Sequence, residues 1–552
     1  QATTQFVIFP IGLLSMADCL DRNGYKVKVI NLAEEMVFGG LRDVEDYLMK
    51  LESAVYAIDL HWVVHAQGSL EIAKLCKKHH PNSLTILGGL TATCFDTEIV
   101  KNFWYVDVVV RGEAEEAMLK LTRAASEAKL PKIQNLTYRD PRGRIHRNPL
   151  STPCDDLNDL NFTRLDLVTP RQLEVTVTPW LTIKRGASLP ICRGCAFNCV
   201  SCGGSEYSYR KLFGRDKPAF RGPSQIADDL RQLEEHGIKD VFLFQDPRMG
   251  GRKYWRKLFE ALRREKTSMK RLSFELFTPA NQEYLTNLAS IGTEVNLSIS
   301  PESGAEKVRK AHGRNYDNSA LLKTAELCLR SGIPLSIFFM TGLAKETPET
   351  FKETMQLCEA ICQNNLRRKG DPTISMPELL TPTLGPMILL DPGSLAFDFP
   401  RRYGYHILFK NFYDYYQAMY QPHWYYWISY ETVFLSRRDL FEMVLRSLEF
   451  MVDLKEKYGF QSSGGLERGP AERGSVDLMR FNINSDRVMI EEIESVLRLG
   501  DPDERVTRLR ALGEALKECR SIQPQMTQAD PYGYRRKLES VVHQSVGLID
   551  GY

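Results

Sequence analysis

The chain is read as an α/β protein in three parts: a parallel, doubly wound N-terminal sheet, a second run of six βα units, and a mainly helical C-terminal region. Short apolar runs alternate with amphipathic stretches over residues 1–125 and again from 187 to about 390. Strands that alternate with helices in this way make parallel sheets covered on both faces. Beyond residue 400 the rhythm stops, and long amphipathic stretches follow an unusually aromatic segment.

In the first part, the runs 27–31 (VKVIN), 54–59 (AVYAID), 84–87 (LTIL) and 106–110 (VDVVV) predict strands. Residues 12–23, 44–51, 69–79 and 96–102 predict the intervening helices. Ligands of such sheets lie beyond the carboxyl ends of the strands. Three of those ends are distinctive: 59–69 (DLHWVVHAQGS), 88–93 (GGLTAT) and 111–113 (RGE). The adjacent Gly88 and Gly89 permit close approach to the backbone.

Residues 126–185, with Pro131, Pro149, Pro153, Pro170 and Pro179 and a turn at 141–143, read as a linker. The six strands that follow are placed at 188–191, 240–245, 272–277, 294–299, 335–340 and 373–380. Helices are placed at 224–235, 252–265, 281–290, 318–329 and 348–363. The expected domains are 1–125, linker 126–185, 186–395 and 396–552.

The length of 552 residues allows about two to four domains, and 43% hydrophobic with 26% charged residues is ordinary globular composition. A net charge of +2 offers no basic field for nucleic acid. No apolar run reaches the ~18–20 residues of a membrane span. Nothing at the start reads as a signal peptide. Four of the twelve Cys crowd into residues 192–202, which suits a reducing cytoplasm and a metal site.

Cys195, Cys199 and Cys202 stand as C-x3-C-x2-C within 191–205 (ICRGCAFNCVSCGGS). Zinc prefers four ligands. A [4Fe–4S] cluster takes four Cys when closed, so three leave one iron open. With Cys192 as a fourth thiol, a four-Cys zinc site is the alternative on local grounds.

The three-Cys loop resembles that of the radical S-adenosylmethionine (SAM) enzymes, in which the open iron chelates SAM. Ser201 departs from the aromatic residue usual before the third Cys. Segments 10–29, 59–69, 88–93 and 111–113 resemble, in order, the cobalamin-binding domain fused to many of these enzymes. That family places a first strand before the 10–14 segment, so an N-terminal piece is expected to precede it. The implied fold is a Rossmann-like cobalamin domain, a partial (β/α)6 barrel and a helical tail.

The resemblance assigns Leu60, His61, Trp62, Gln67, Gly88, Gly89, Thr91 and Glu113 to cobalamin. The D-x-H-x-x-G motif is absent, since position 64 is Val; His61 or His65 remains a candidate for the lower face of cobalt. Gly203, Gly204 and Ser205 are assigned to the SAM amino group, Ser300 and Glu302 to its methionyl or ribose groups, and Thr341 to the adenine pocket. Arg309 or Arg314 would pair with the SAM carboxylate, and 381–386 (TPTLGP) would form the sixth-strand turn. The aromatic residues of 403–430 are either core and interface or a lid over the substrate. A flexible loop is expected at 462–475, with helices at 437–458, 490–499 and 503–520.

The resemblance covers nearly the whole chain and is to the class B, cobalamin-dependent group, most of whose characterised members are methyltransferases. It implies transfer of a methyl group from methylcobalamin to an unactivated sp3 carbon. An electron donor such as ferredoxin or flavodoxin is implied, and a peptide or protein substrate is favoured. Segments 188–205 and 209–230 are most similar to an archaeal-type subgroup, one known activity of which is Cα-methylation of a glutamine in methyl-coenzyme M reductase. The alternatives are a cobalamin-assisted cyclase or rearranging enzyme and a non-catalytic corrinoid-binding protein.

Overall fold

The computed structural model describes most residues from 11 to 508, leaving out 1–10, 370–378, 459–479, 509–552 and several shorter stretches. The N-terminal part runs α1 (Ile11–Asp21), β1 (Val55–Asp59), α2 (Ala66–His79), β2 (Leu84–Gly88), α3 (Leu90–Cys94), β3 (Val108–Val110), α4 (Glu115–Arg123), β4 (Leu136–Arg139) and β5 (Ile145–Arg147). β1, β2 and β3 pair in parallel, with Val55 opposite Leu84 and Ile86 opposite Val108. All three Val residues of β3 are buried, as a central strand covered on both faces requires.

Two expectations change here. The predicted linker supplies β4 and β5, an antiparallel hairpin that completes the order β1-β2-β3-β4-β5. Its turn lies where it was expected: Gly143 has φ +79°, and Asp140 accepts the Arg142 and Arg144 amides. The predicted strand 27–31 contributes only Val29–Ile30, which pairs with Val168–Thr169 outside this sheet. Strand partners are set by contacts distant in sequence, so a proline-punctuated hairpin reads locally as a linker.

The second part contains β6 (Gly186–Pro190), α5 (Glu206–Phe213), α6 (Pro223–Glu235), β7 (Asp240–Phe244), α7 (Gly251–Glu265), β8 (Arg271–Leu276), α8 (Gln282–Ala289), β9 (Glu294–Glu302), α9 (Asn318–Arg330), β10 (Leu335–Thr341), α10 (Pro348–Lys369) and β11 (Leu380–Met387). The six strands are parallel in the order β6-β7-β8-β9-β10-β11, and β6 does not pair with β11. The sixth strand is 380–387 rather than 373–380; most of the predicted run lies outside the described residues, and the TPTLGP segment is strand rather than turn. Pro382 and Pro386 are tolerated because β11 is an edge.

Along β7 to β10, fully buried apolar residues alternate with half-buried ones. Leu272, Phe274, Leu297, Ile299, Ile337 and Phe339 belong to the buried core. The other row lines the opposite face of the sheet. There Glu275, Ser298, Ser336 and Thr381 are consecutive register partners across β8 to β11. Side chains fill the interior of a closed eight-stranded barrel. This open six-stranded sheet instead presents a half-exposed, hydroxyl-rich inner face.

The C-terminal part holds α11 (Phe412–Ala418) and α12 (Arg437–Tyr458) among the described residues. α12 packs along β11 and covers that edge; a Cβ on Gly385 would sit 3.2 Å from Leu448. The aromatic segment braces the two sheets. Phe412, Tyr415 and Tyr416 are buried in one cluster with Phe95, Phe103 and Tyr105 of the N-terminal part. The Tyr416 and Tyr420 hydroxyls both donate to Glu71, at 2.8 and 2.6 Å. At the other end Tyr405 and Tyr430 pack edge to face at 5.3 Å, and Tyr430 donates to the Ile388 carbonyl at 2.7 Å. These rings are spent on protein contacts, the interface half of the two readings of this segment. The predicted 437–458 helix is α12, and 490–496 is helical. The 462–475 loop and most of 503–520 lie outside the described residues.

Candidate cofactor site

The cysteine loop separates its four thiols. Cys192 lies in a two-residue strand paired with Phe220 and is 1% exposed. Its Sγ donates to Gln245 Oε1 at 2.8 Å, and its amide donates to the same oxygen at 3.2 Å. Burial pushes this thiol well above its ordinary range, so it is a neutral donor.

The other three are turned elsewhere. Cys195 Sγ accepts the Phe197 amide at 3.4 Å and lies 3.9 Å from Met249 Sδ. Cys202 Sγ accepts the Gly204 amide at 3.2 Å. Amide donors aimed at sulfur suit thiolates that carry charge toward iron. Burial raises the Cys195 thiol to about 11 and also raises Cys199 and Cys202. Such thiols ionise when a cation compensates them. Among the described residues no three His, Cys, Asp or Glu side chains surround a single-ion position.

The loop is wedged from two sides. A Cβ on Gly313 (φ +89°) would lie 2.7 Å from the Asn198 carbonyl oxygen and 3.4 Å from Cys199 Cα. Gly203 is pressed against Leu90 of α3, and its amide donates to Asp391 at 2.9 Å. The amides of Gly203 and Gly204 are thus committed within the protein. Ser205 Oγ caps α5 by accepting the Ser208 amide. Their expected role toward the SAM amino group would have to use other atoms.

At the end of β9 the backbone bulges, and Glu302 adopts φ +67°. Left-handed geometry at a non-glycine costs ~1–3 kcal/mol and recurs at functional sites. Glu302 Oε1 accepts Arg314 Nη2 at 3.0 Å, while Glu302 Oε2 and Arg314 Nε are buried without a partner among the described residues. Arg314 lies over the Phe277 ring at 5.8 Å, and its charge eases ionisation of Cys199. Buried polar atoms without partners are rare and call for a ligand or water. Arg309, the other candidate, is fully buried and holds the Ser303 carbonyl at 2.7 and 3.0 Å, a fold-supporting role. Ser300 is half-buried on β9, and Thr341 is fully buried at the end of β10.

On the N-terminal sheet, Gly89 (φ +106°) fits because a Cβ there would lie 2.8 Å from the backbone of Leu60 and His61. The glycine is demanded by the protein's own loop, whereas a Cβ on Gly88 would meet only the Val110 carbonyl oxygen at 3.6 Å. Thr91 Oγ1 donates to the His61 carbonyl at 2.8 Å, and Leu60 N donates to the Gly88 carbonyl at 2.7 Å. Leu60 and Thr91 are fully buried and support the loop from beneath. Trp62 is 39% exposed between the His61 and His65 rings, and Gln67 meets the Tyr420 side chain. Trp62 and His61 are exposed beyond β1, and His65 is half-buried beside them. Glu113, expected at the cofactor, pairs with Arg215 at 2.7 Å and Arg193 at 3.5 Å.

Three residues escaped the sequence reading. Gln245 holds Cys192 from a left-handed backbone (φ +76°) at the end of β7. Glu275, whose carboxyl burial pushes up, accepts the Gln245 amide at 2.6 Å. Asp391 joins the cysteine loop to the turn after β11 and lies in the field of His61. The only local signal was an Asp-Pro pair at 246–247 and again at 391–392.

Residues 189–358 match the Radical SAM superfamily and residues 1–122 the B12 binding domain. Among curated proteins, the anaerobic magnesium-protoporphyrin IX monomethyl ester cyclase of Rubrivivax gelatinosus is 24% identical over 304 residues, 53% of this chain and 52% of that protein. An uncharacterized methyltransferase of Pyrococcus horikoshii is 26% identical over 242 residues, 43% of this chain and 48% of that protein. The chain thus spans about half the length of these relatives. In fold it is similar to the cobalamin-dependent SAM radical enzyme OxsB (TM-score 0.57, 13% identity, 98% of this chain and 78% of that one). It is also similar to the radical SAM methyltransferase TsrM from Kitasatospora setae with cobalamin and [4Fe–4S] cluster bound (TM-score 0.51, 19% identity, 71% and 74%). With a B12-binding domain followed by a radical SAM domain, the chain belongs to the cobalamin-dependent radical SAM enzymes, whose cofactors are a [4Fe–4S] cluster, SAM and cobalamin.

Proposed function

We propose that the chain is a methyltransferase that places a methyl group from methylcobalamin on an unactivated sp3 carbon. The observation that carries the site assignment is the split among the thiols: Cys192 is bound to Gln245, and Cys195, Cys199 and Cys202 are left as a three-ligand set. Three ligands leave the open iron that SAM requires. When bound, the cofactors supply a 5′-deoxyadenosyl radical and a transferable methyl group; the protein supplies binding, orientation and exclusion of water.

In this reading Glu302 and Arg314 take the charged ends of the SAM amino acid through their unused Oε2 and Nε atoms. Trp62 and His61 face the corrin, and Gly88 leaves room for the nucleotide tail. Ser298, Ser336 and Thr381, with Glu275 at one end of the row, offer hydroxyl and carboxyl partners to a polar substrate on the inner face. A peptide substrate belongs to this proposal, and a glutamine-containing peptide of methyl-coenzyme M reductase is the first substrate to assay. An external one-electron donor serves the cluster. No described helix is long and apolar enough to cross a membrane, and a cytoplasmic setting belongs to this proposal.

The second reading, a cyclase, rests on the several magnesium-protoporphyrin ester cyclases among the relatives. Reconstituted enzyme incubated with SAM labelled with deuterium in its methyl group decides between them. Label in a methylated product supports methyl transfer. 5′-Deoxyadenosine with an unmethylated, dehydrogenated or ring-closed product would overturn it.

A further inference from the structure

The segment after β3 grips the cysteine loop through Glu113 and Glu115. Glu115, the first residue of α4, meets Arg193 fork to fork: Nη1 approaches Oε2 at 3.2 Å and Nη2 is bonded to Oε1. Arg193 sits between Cys192 and Cys195. Ser15 of α1 donates to the same Glu115 oxygen at 2.7 Å. Beside it, Glu113 accepts Arg215 Nε at 2.8 Å and Nη2 at 2.7 Å, while Arg215 also reaches Asp155 at 3.1 Å and the Cys154 carbonyl at 2.7 Å. The Arg215 side chain is 1% exposed, those of Glu113 and Glu115 13% and 14%, and that of Arg193 18%. These charges are shielded from water, so each depends on its partner.

The same loop is tied to the corrin side. Gly112 (φ +68°) donates its amide to Thr93 Oγ1 at 3.1 Å, and Thr93 lies in α3, directly after the Gly88-Gly89 turn that backs the His61 loop. A second route runs from Leu90 of α3 to Gly203 and Asp391. The cysteine loop and the cobalamin-facing loop are therefore fastened to one element from opposite sides.

We propose that the Glu115–Arg193 and Glu113–Arg215 pairs couple the two cofactor sites, so that cobalamin binding strengthens the hold on the cluster and the cluster strengthens the hold on cobalamin. The inference rests on the cofactor reading above. Glu113 and Glu115 are positioning residues in it, and coupling of this kind is reciprocal by thermodynamic necessity.

The test uses the full chain, anaerobically reconstituted with iron and sulfide. Iron release to a ferrous chelator is timed with and without bound hydroxocobalamin. In the wild type, cobalamin slows release by about fivefold or more, within the usual range of coupling between sites. Glu115→Gln and Arg193→Gln lose the slowing, whereas Arg193→Lys, which keeps the charge but not the fork, retains part of it. Cobalamin uptake and iron content are measured for each variant to show that both sites are formed. Should Arg193→Gln fail to hold a cluster, Glu113→Gln, which leaves Arg215 its Asp155 partner, replaces it. A wild type that binds both cofactors without mutual protection overturns the coupling alone, as does a Glu115→Gln protein protected as fully as the wild type. A wild type that takes up no cobalamin overturns the cofactor reading and the coupling with it.

Discussion

Cys192 donates its thiol hydrogen to Gln245 Oε1 at 2.8 Å, and in the proposed assignment this bond keeps the fourth cysteine of the loop out of the ligand set. Cys192→Ala is therefore expected to retain close to the wild-type iron content. Cys195→Ala, Cys199→Ala and Cys202→Ala are each expected to lose the cluster. Iron and sulfide counts with the absorbance near 400 nm check this; loss in the Cys192 variant alone would reverse the assignment.

Gly89 and Gly88 are expected to respond differently. Gly89→Val forces a β-branched residue into φ +106° with its Cβ against the Leu60–His61 backbone. The strain costs ~1–3 kcal/mol or more, lowers the melting temperature and removes corrin binding together. Gly88→Ala meets only ordinary contact and keeps the wild-type melting temperature. If Gly89→Val melts like the wild type, the glycine serves something other than the loop.

Arg314 and Arg309 form a second contrasting pair. Arg314→Gln leaves Glu302 buried without its partner and is expected to weaken SAM binding about tenfold or more, since a charge-assisted bond contributes about 1.5–3 kcal/mol. Arg309→Gln strips the Ser303 carbonyl of its donors and lowers thermal stability instead. Calorimetric titration of reconstituted protein with SAM, beside a melting curve, separates the two effects. Equal SAM affinity for Arg314→Gln and wild type would remove this residue from the site.

Glu346 is fully buried beside β10, accepting the Gly342 amide at 2.7 Å, and burial pushes its carboxyl up to about 8. The folded state thus binds a proton that the unfolded chain releases near pH 4.5. Stability from this group is complete below that value and declines until the folded pKa is passed. Buried His312, held down to about 4, acts oppositely, losing stability only as pH falls through 6.5 toward 4. Between pH 6.5 and 8 the Glu346 slope stands alone of the two, at about 2 kcal/mol over the interval. Glu346→Gln keeps the acceptor and abolishes that part of the decline. Melting curves of both proteins across pH 6.5–8.5 test it; parallel curves would show that Glu346 titrates normally.

Phe412→Ala is expected to loosen the brace between the two sheets. Phe412 is fully buried, 5.4 Å from Phe95 and 5.8 Å from Phe103, and truncation of such a ring costs ~3–5 kcal/mol. Tyr413→Ala, on the exposed side of α11, is expected to cost little. Denaturant melts of the two variants make the comparison, and equal midpoints would argue against the brace.

The sequence by itself determined what is local. The C-x3-C-x2-C spacing, the Gly88-Gly89 pair and the β/α rhythm depend on residues a few positions apart, and most barrel strands and helices lie within a few residues of their expected places. Tertiary structure decided what depends on distant partners. Leu136–Arg147 joins the first sheet because β3 offers an edge, and β11 carries two prolines because it is itself an edge. Cys192 is set apart from the other three thiols because Gln245, 53 residues away, accepts its thiol. Glu113, a cofactor candidate by its local pattern, acquires an ion pair because Arg215, 102 residues on, is buried against it. A residue type announces what a side chain can bond. Only the packing of remote segments, which removes water from some groups and pairs others, decides which bonds are made.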